Sequence, residues 1–163
     1  MNNSIKKVLI VFGTRPEAIK MAPVVKNILA NDNFITKVCV TSQHRQMLDQ
    51  VLDFFKIYPD YDLDLMKPNQ SLNELSSRIL SKMDGVLNDF MPDLVIVHGD
   101  TTTSSMVAIA AFHKQIKIGH VEAGLRTYNK TAPFPEEINR QITGRLADLH
   151  FSPTQTSADN LII

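Results

Sequence analysis

Leu94-Val95-Ile96-Val97-His98-Gly99-Asp100-Thr101-Thr102-Thr103 is the stretch on which the reading of this chain turns. A short apolar run bounded by turn chemistry reads as a buried parallel strand. The polar run behind it sets a carboxylate and three hydroxyls where that strand opens into the next helix, the crevice in which open parallel sheets bind ligands. Asp100 is therefore the first catalytic candidate. The competing reading makes it a structural cap that accepts the N–H groups of Thr102 and Thr103.

Outward from this stretch, strand and helix patterns alternate. Towards the N-terminus, residues 8–12 form a second apolar run, broken by Gly13-Thr14-Arg15-Pro16 and followed by Ala18, Met21, Ala22 and Val25 at helical spacing. Residues 37–41 lead through Ser42-Gln43-His44 into a helix carrying Leu48, Val51 and Leu52, and residues 61–65 read as a short strand. An amphipathic helix is expected from about 73 to 90, ended by Met91-Pro92. Towards the C-terminus come a small-residue helix around 106–112, a strand at 117–121, a helix at 137–147, a strand at 149–152 and an amphipathic helix opening at Asn160. The pattern predicts an α/β fold: a three-layer Rossmann-like domain with a mainly parallel sheet and right-handed crossovers, formed by residues 1–163 as one unit.

Composition narrows the function classes. Of 163 residues 44% are hydrophobic, enough to bury a core, and 17 basic side chains balance 17 acidic ones, so no net field favours nucleic acid or an anionic membrane. The single Cys39 sits in an apolar run, which excludes an internal disulfide and fits a reducing compartment. No apolar run approaches the roughly 18 residues of a membrane span, and no secretory leader is evident before the first strand. A soluble cytoplasmic protein is the expectation.

Placed on this frame, the polar candidates gather at one edge of the sheet. Gly13 and Arg15 follow the first strand, Gln43 and His44 the second, Asp100 the fourth, and Glu122 with Arg126 the fifth, all at carboxyl ends. Arg15 beside a helix N-terminus suits an anion, against the alternative of a salt bridge that anchors its loop. Lys20 lies within reach of the same helix start, or is a solvated surface lysine. The loop lacks both the dinucleotide and the phosphate-loop glycine fingerprints. Asp100, Glu122 and one of Glu136 and Glu137 can serve as general acid and base, with mutual repulsion and burial raising one pKa; otherwise the glutamate pair caps its own helix. His98 and His120 read as hydrogen-bonded strand histidines. The histidine spacings match no zinc pattern, so no metal is expected, and with neither glycine fingerprint present no cofactor is expected either.

Five segments, Val11-Phe12-Gly13-Thr14-Arg15-Pro16-Glu17-Ala18-Ile19-Lys20, Thr41-Ser42-Gln43-His44, His98-Gly99-Asp100-Thr101-Thr102, His120-Val121-Glu122-Ala123-Gly124-Leu125-Arg126 and Pro133-Phe134-Pro135-Glu136-Glu137-Ile138-Asn139-Arg140, together resemble the bacterial non-hydrolysing UDP-N-acetylglucosamine 2-epimerases. The resemblance runs in unbroken order from Lys7 to the last residue. It implies one half of a two-domain, glycosyltransferase-B-type fold with the active site between the halves, the C-terminal nucleotide-binding domain being absent from this chain. It also implies interconversion of UDP-N-acetylglucosamine and UDP-N-acetylmannosamine by C2 proton removal, UDP elimination to 2-acetamidoglucal and re-addition of UDP, in the service of surface polysaccharide synthesis.

Matched motif by motif, the resemblance assigns Asp100, Glu122 and Glu136 to catalysis, Arg15, Lys20 and Arg140 to substrate binding, and Gln43, His44 and Gln46 to an adjoining allosteric substrate site. It implies a homodimeric parent and an isolated half that does not turn over. Two departures are visible: after Leu65-Met66-Lys67, where some relatives carry an Arg, this chain has Asn69 nearby, and Thr131-Ala132-Pro133 stands for the commoner Tyr-Ser-Pro. A nucleotide-sugar glycosyltransferase domain and a noncatalytic nucleotide-sugar-binding module are the alternative readings.

Overall fold

A computed structural model describes residues 5–42, 45–65 and 67–162. Six strands, β1 (Lys6–Phe12), β2 (Phe34–Val40), β3 (Tyr61–Asp62), β4 (Leu94–His98), β5 (Lys117–Val121) and β6 (Leu149–Phe151), form one sheet in the order β3-β2-β1-β4-β5-β6. Every pairing is parallel. The connecting helices are α1 (Arg15–Leu29), α2 (Arg45–Phe55), α3 (Leu72–Phe90), α4 (Thr102–His113), α5 (Glu136–Leu146) and a short α6 (Gln155–Asp159).

Alternate residues of the central strands feed two cores. Leu9, Val11, Val95 and Val97 pack with α3 and α4, whereas Val8, Ile10, Phe12 and Ile96 pack with α1 and α2. Successive side chains of a strand point to opposite faces, so a strand covered on both must read as a continuous apolar run. That is why 8–12 and 94–97 carry no alternation. Helix α4 packs against both α3 and α5, and its Ala108, Ala110 and Ala111 are buried, small enough to allow the close approach. Among the described residues no helix is long and apolar enough to cross a membrane.

Boundaries differ from expectation in instructive places. β2 starts at Phe34 because its register with β1 begins at Lys6. β3 keeps only Tyr61–Asp62; Asp64, at φ +46°, turns the chain out of the extended conformation. The last helix runs Gln155–Asp159, not onward from Asn160, since Thr154 caps it by accepting the Ser157 N–H. Asn160 instead donates from Nδ2 to the Gly124 carbonyl at 3.0 Å.

Candidate active site

The strand order reverses direction between β1 and β4, with α1 leaving to one face and α4 to the other. Chains that diverge in this way open a crevice at the carboxyl ends. Gly13 closes its floor: a Cβ there would lie 2.1 Å from Thr41 Oγ1 and 2.7 Å from Thr103 Oγ1, two hydroxyls that hydrogen-bond each other at 2.9 Å. Glu17 ties the two exits together. Its buried carboxylate accepts the N–H groups of Gly13 (2.9 Å) and Thr14 (2.7 Å) and the Thr101 hydroxyl (2.8 Å). Burial pushes this carboxyl up, against the hydrogen bonds from Gly13, Thr101 and Thr14.

Asp100 is not the cap of α4. Thr101 takes that place by accepting the Ser104 N–H at 3.1 Å, which leaves the Asp100 carboxylate available for side-chain partners. Arg140 supplies them: Nη2 and Nε donate to Oδ2 at 2.6 and 3.0 Å. The neighbouring Asn139 holds the backbone of the same residue, donating from Nδ2 to the Asp100 carbonyl while its Oδ1 accepts from Ser105 Oγ, each at 2.9 Å.

Glu122, on the next strand exit, sits in the left-handed region at φ +64°, a conformation that a non-glycine residue holds only when its surroundings impose it. Hydrogen bonds from Gly99 N–H to the Val121 carbonyl (2.8 Å) and from Ala123 N–H to the Phe151 carbonyl (3.1 Å) bracket it. The carboxylate receives Lys20 Nζ at 2.9 Å on Oε1 and 2.6 Å on Oε2, with His98 Nε2 2.9 Å from Oε2. Although burial pushes the Glu122 carboxyl up, Lys20 and His98 hold it below the ordinary carboxylate range. The repulsion expected from sequence does not raise it, because Asp100 and Glu122 each have a cation of their own. Burial lowers His98, and it lowers His120 to about 4. His120 Nε2 meets the Gly99 carbonyl at 2.7 Å and braces a glycine that is itself left-handed at φ +65°.

The glutamate pair resolves into two roles. Glu137 is buried and accepts from Thr127 N–H (2.9 Å), Tyr128 N–H (3.2 Å), Gln141 Nε2 (3.0 Å) and Arg140 Nη1 (3.4 Å). Burial opposes its charge, yet these bonds bring it down to about 2. Glu136 opens α5 half-buried, with Oε2 buried and without a hydrogen bond among the described residues. Neither side chain makes the N-cap bond of that helix. Lys20, readable as a solvated surface lysine, is bound to Glu122. Arg15 is exposed, makes no ion pair with a described residue, and lines a cavity of about 330 Å³ with Ile19, Gln50, Val51, Phe54 and Phe55 between α1 and α2. Gln46 is exposed in the first turn of α2; Gln43 and His44 lie outside the described residues.

Two carboxylates on adjacent strand exits, each met by a cation, can exchange protons with a small substrate beside an anion-binding helix start. The sequence profile of the family described as UDP-N-acetylglucosamine 2-epimerase matches residues 26–163. The chain belongs to this family. It is 64% identical over 159 residues to a UDP-N-acetylglucosamine 2-epimerase of Campylobacter jejuni, covering 97% of this chain and 41% of the relative. The crystal structure of UDP-GlcNAc 2-epimerase from Neisseria meningitidis, bound to UDP-GlcNAc, superposes with a TM-score of 0.93 at 57% identity, covering 96% of this chain and 42% of that one. This epimerase-family chain thus spans about two fifths of the length of the relatives it matches. A lipopolysaccharide outer core galactosyltransferase, WaaB, shares the fold alone, with a TM-score of 0.67 at 12% identity over 96% of this chain and 42% of that one. The domain is one half of a glycosyltransferase-B-type architecture.

Within this epimerase-family domain, sequence reasoning missed two polar groups. Nothing local in the sequence reveals that Glu17 holds Thr101. His98 reads as a strand histidine; the signal that could have found it is strand adjacency, since β4 and β5 pair with His98 opposite Val121, one residue before Glu122.

Proposed function

We propose that this chain is the N-terminal half of an enzyme that interconverts UDP-N-acetylglucosamine and UDP-N-acetylmannosamine in the cytoplasm, its C-terminal nucleotide-binding domain lying outside the sequence described. The observation that carries the proposal is the pair Asp100 and Glu122 on adjacent strand exits, each clasped by a cation, in a chain 57% identical to a protein whose crystal structure holds UDP-GlcNAc.

The C2 proton of the sugar is weakly acidic, so its removal needs a positioned base, and departure of UDP needs its diphosphate charge neutralised. Asp100, Glu122 and Glu136 take the acid and base roles. Because the reaction runs both ways through a 2-acetamidoglucal, the group that removes a proton in one direction returns it in the other. Arg15 and Lys20 meet the diphosphate at the start of α1, and Arg140 orients Asp100 and contacts substrate. Gln43, His44 and Gln46 border an adjoining site for a second nucleotide sugar. The half alone leaves the cleft open to water and turns over negligibly, and the complete protein is a homodimer.

The test is deuterium incorporation at C2 of UDP-N-acetylglucosamine in D2O, with NMR of the products, for this chain, for the two-domain protein that carries it, and for Asp100→Asn in the latter. Exchange and the manno epimer in the two-domain protein, lost in the variant and absent from the half, support the proposal. A folded two-domain protein that gives neither exchange nor epimer overturns it.

A further inference from the structure

His98 lies beside the strand exit that carries Glu122. Its Nε2 is 2.9 Å from Glu122 Oε2, its ring is buried, and its Nδ1 is buried with no hydrogen-bond partner among the described residues. These contacts decide where the single proton of a neutral imidazole resides. On Nδ1 it would leave a buried donor with nothing to accept it and set the Nε2 lone pair against a carboxylate. On Nε2 it has Glu122 Oε2 2.9 Å away to accept it.

We infer that His98 is a positioning residue for the reaction proposed above, a neutral imidazole protonated on Nε2 that donates to Glu122 and fixes its orientation as an ionised base. The inference rests on the reading of Glu122 as an acid–base group. The groups that face the ring are Lys20 from α1, Asp100 from the β4 exit, and His120 and Glu122 from β5 and its exit. Burial acts first against an imidazolium and Lys20 acts with it, while Glu122 and Asp100 act the other way; the balance leaves the ring neutral near pH 7. Two donors thus hold one carboxylate, and they differ in freedom. Lys20 is about half exposed along its side chain (53%), whereas His98 is nearly enclosed (5%). When Lys20 turns towards substrate phosphates, His98 is the donor that stays.

Long-range ¹H–¹⁵N correlation of the imidazoles in the ¹⁵N-labelled chain reads the tautomer directly. The expected spectrum near pH 7 has His98 Nε2 protonated and Nδ1 bare; a ring protonated on Nδ1 overturns the inference. In the two-domain protein, His98→Leu is expected to lower kcat for epimerisation by about tenfold to a hundredfold with KM nearly unchanged. The same variant moves the acid limb of the kcat/KM profile to higher pH, because Glu122 has lost a donor to its ionised form. His98→Gln, whose amide nitrogen reaches the same place, recovers most of the rate. Equal losses in the Leu and Gln variants, or an unmoved acid limb, overturn the positioning role. Glu122→Gln at the wild-type rate overturns the acid–base reading of Glu122 and the kinetic part of this inference with it, and the tautomer spectrum separates that failure from a wrong geometry at His98.

Discussion

Arg140 grips Asp100 through one oxygen: Nη2 and Nε both donate to Oδ2, at 2.6 and 3.0 Å, while Nη1 lies 3.4 Å from Glu137 Oε2. One guanidinium therefore spans a carboxylate proposed to react and a carboxylate that braces the loop before α5. Among the described residues Oδ1 of Asp100 accepts no hydrogen bond, so the fixed oxygen orients the open one.

Arg140→Ala removes this clasp and leaves Glu137 without a cation. The unfolding free energy is expected to fall by about 1–3 kcal/mol, the cost of stranding partly buried partners, measured by urea denaturation of the chain. Arg140→Lys keeps the charge and loses the planar fork, so it should recover only part of that stability. An alanine variant as stable as the wild type would show that the clasp contributes nothing to the fold.

Gly13→Ala places a methyl group against Thr41 Oγ1 and Thr103 Oγ1. Overpacking of this kind costs about 1–3 kcal/mol. Thr41→Ala removes the nearer hydroxyl, so the Gly13→Ala penalty is expected to shrink in that background. Equal penalties in the two backgrounds, read from denaturant midpoints in a double-mutant cycle, would refute steric exclusion at this position.

Glu137 titrates at about 2 in the folded chain, below the ordinary 4.5. Between those values the unfolded chain binds more protons than the native one, so stability rises with pH across the window and is lost as pH falls through it. Urea midpoints taken from pH 5 down to about 2 should drop steadily. In Glu137→Gln the drop attributable to this group disappears, and an identical slope in the variant would assign the acid sensitivity elsewhere.

Cys39 is buried, and burial first, with the charge of Asp62 second, pushes its thiol up to about 12. The reactive form is the thiolate. A thiol reagent such as dithionitrobenzoate at about pH 8 should label the native chain negligibly and the denatured chain once. Rapid labelling of the native chain would place Cys39 at a surface.

Much of this was legible from local pattern. Buried parallel strands must be apolar throughout, so 8–12 and 94–97 declare themselves, and the chain turns just beyond such strands, which is where Arg15, Asp100 and Glu122 lie. The roles of Glu136 and Glu137 were not legible, because two adjacent acids at a helix start look alike until one of them turns back to accept the N–H groups of Thr127 and Tyr128 from the preceding loop. The last helix starts earlier than Leu161 and Ile162 suggest, because a Thr154 cap is a weak local signal beside those apolar residues.

The amino-acid order by itself determined the alternation of strands and helices, the two-faced burial of the central strands and the set of polar residues at their exits, since each follows from periodicity and turn chemistry within about a dozen neighbouring positions. Only the tertiary structure decided which of those residues pair. Lys20 meets Glu122 across 102 positions and Arg140 meets Asp100 across 40, and such meetings depend on strand order and crossover packing, which place distant exits side by side through contacts that no local stretch encodes.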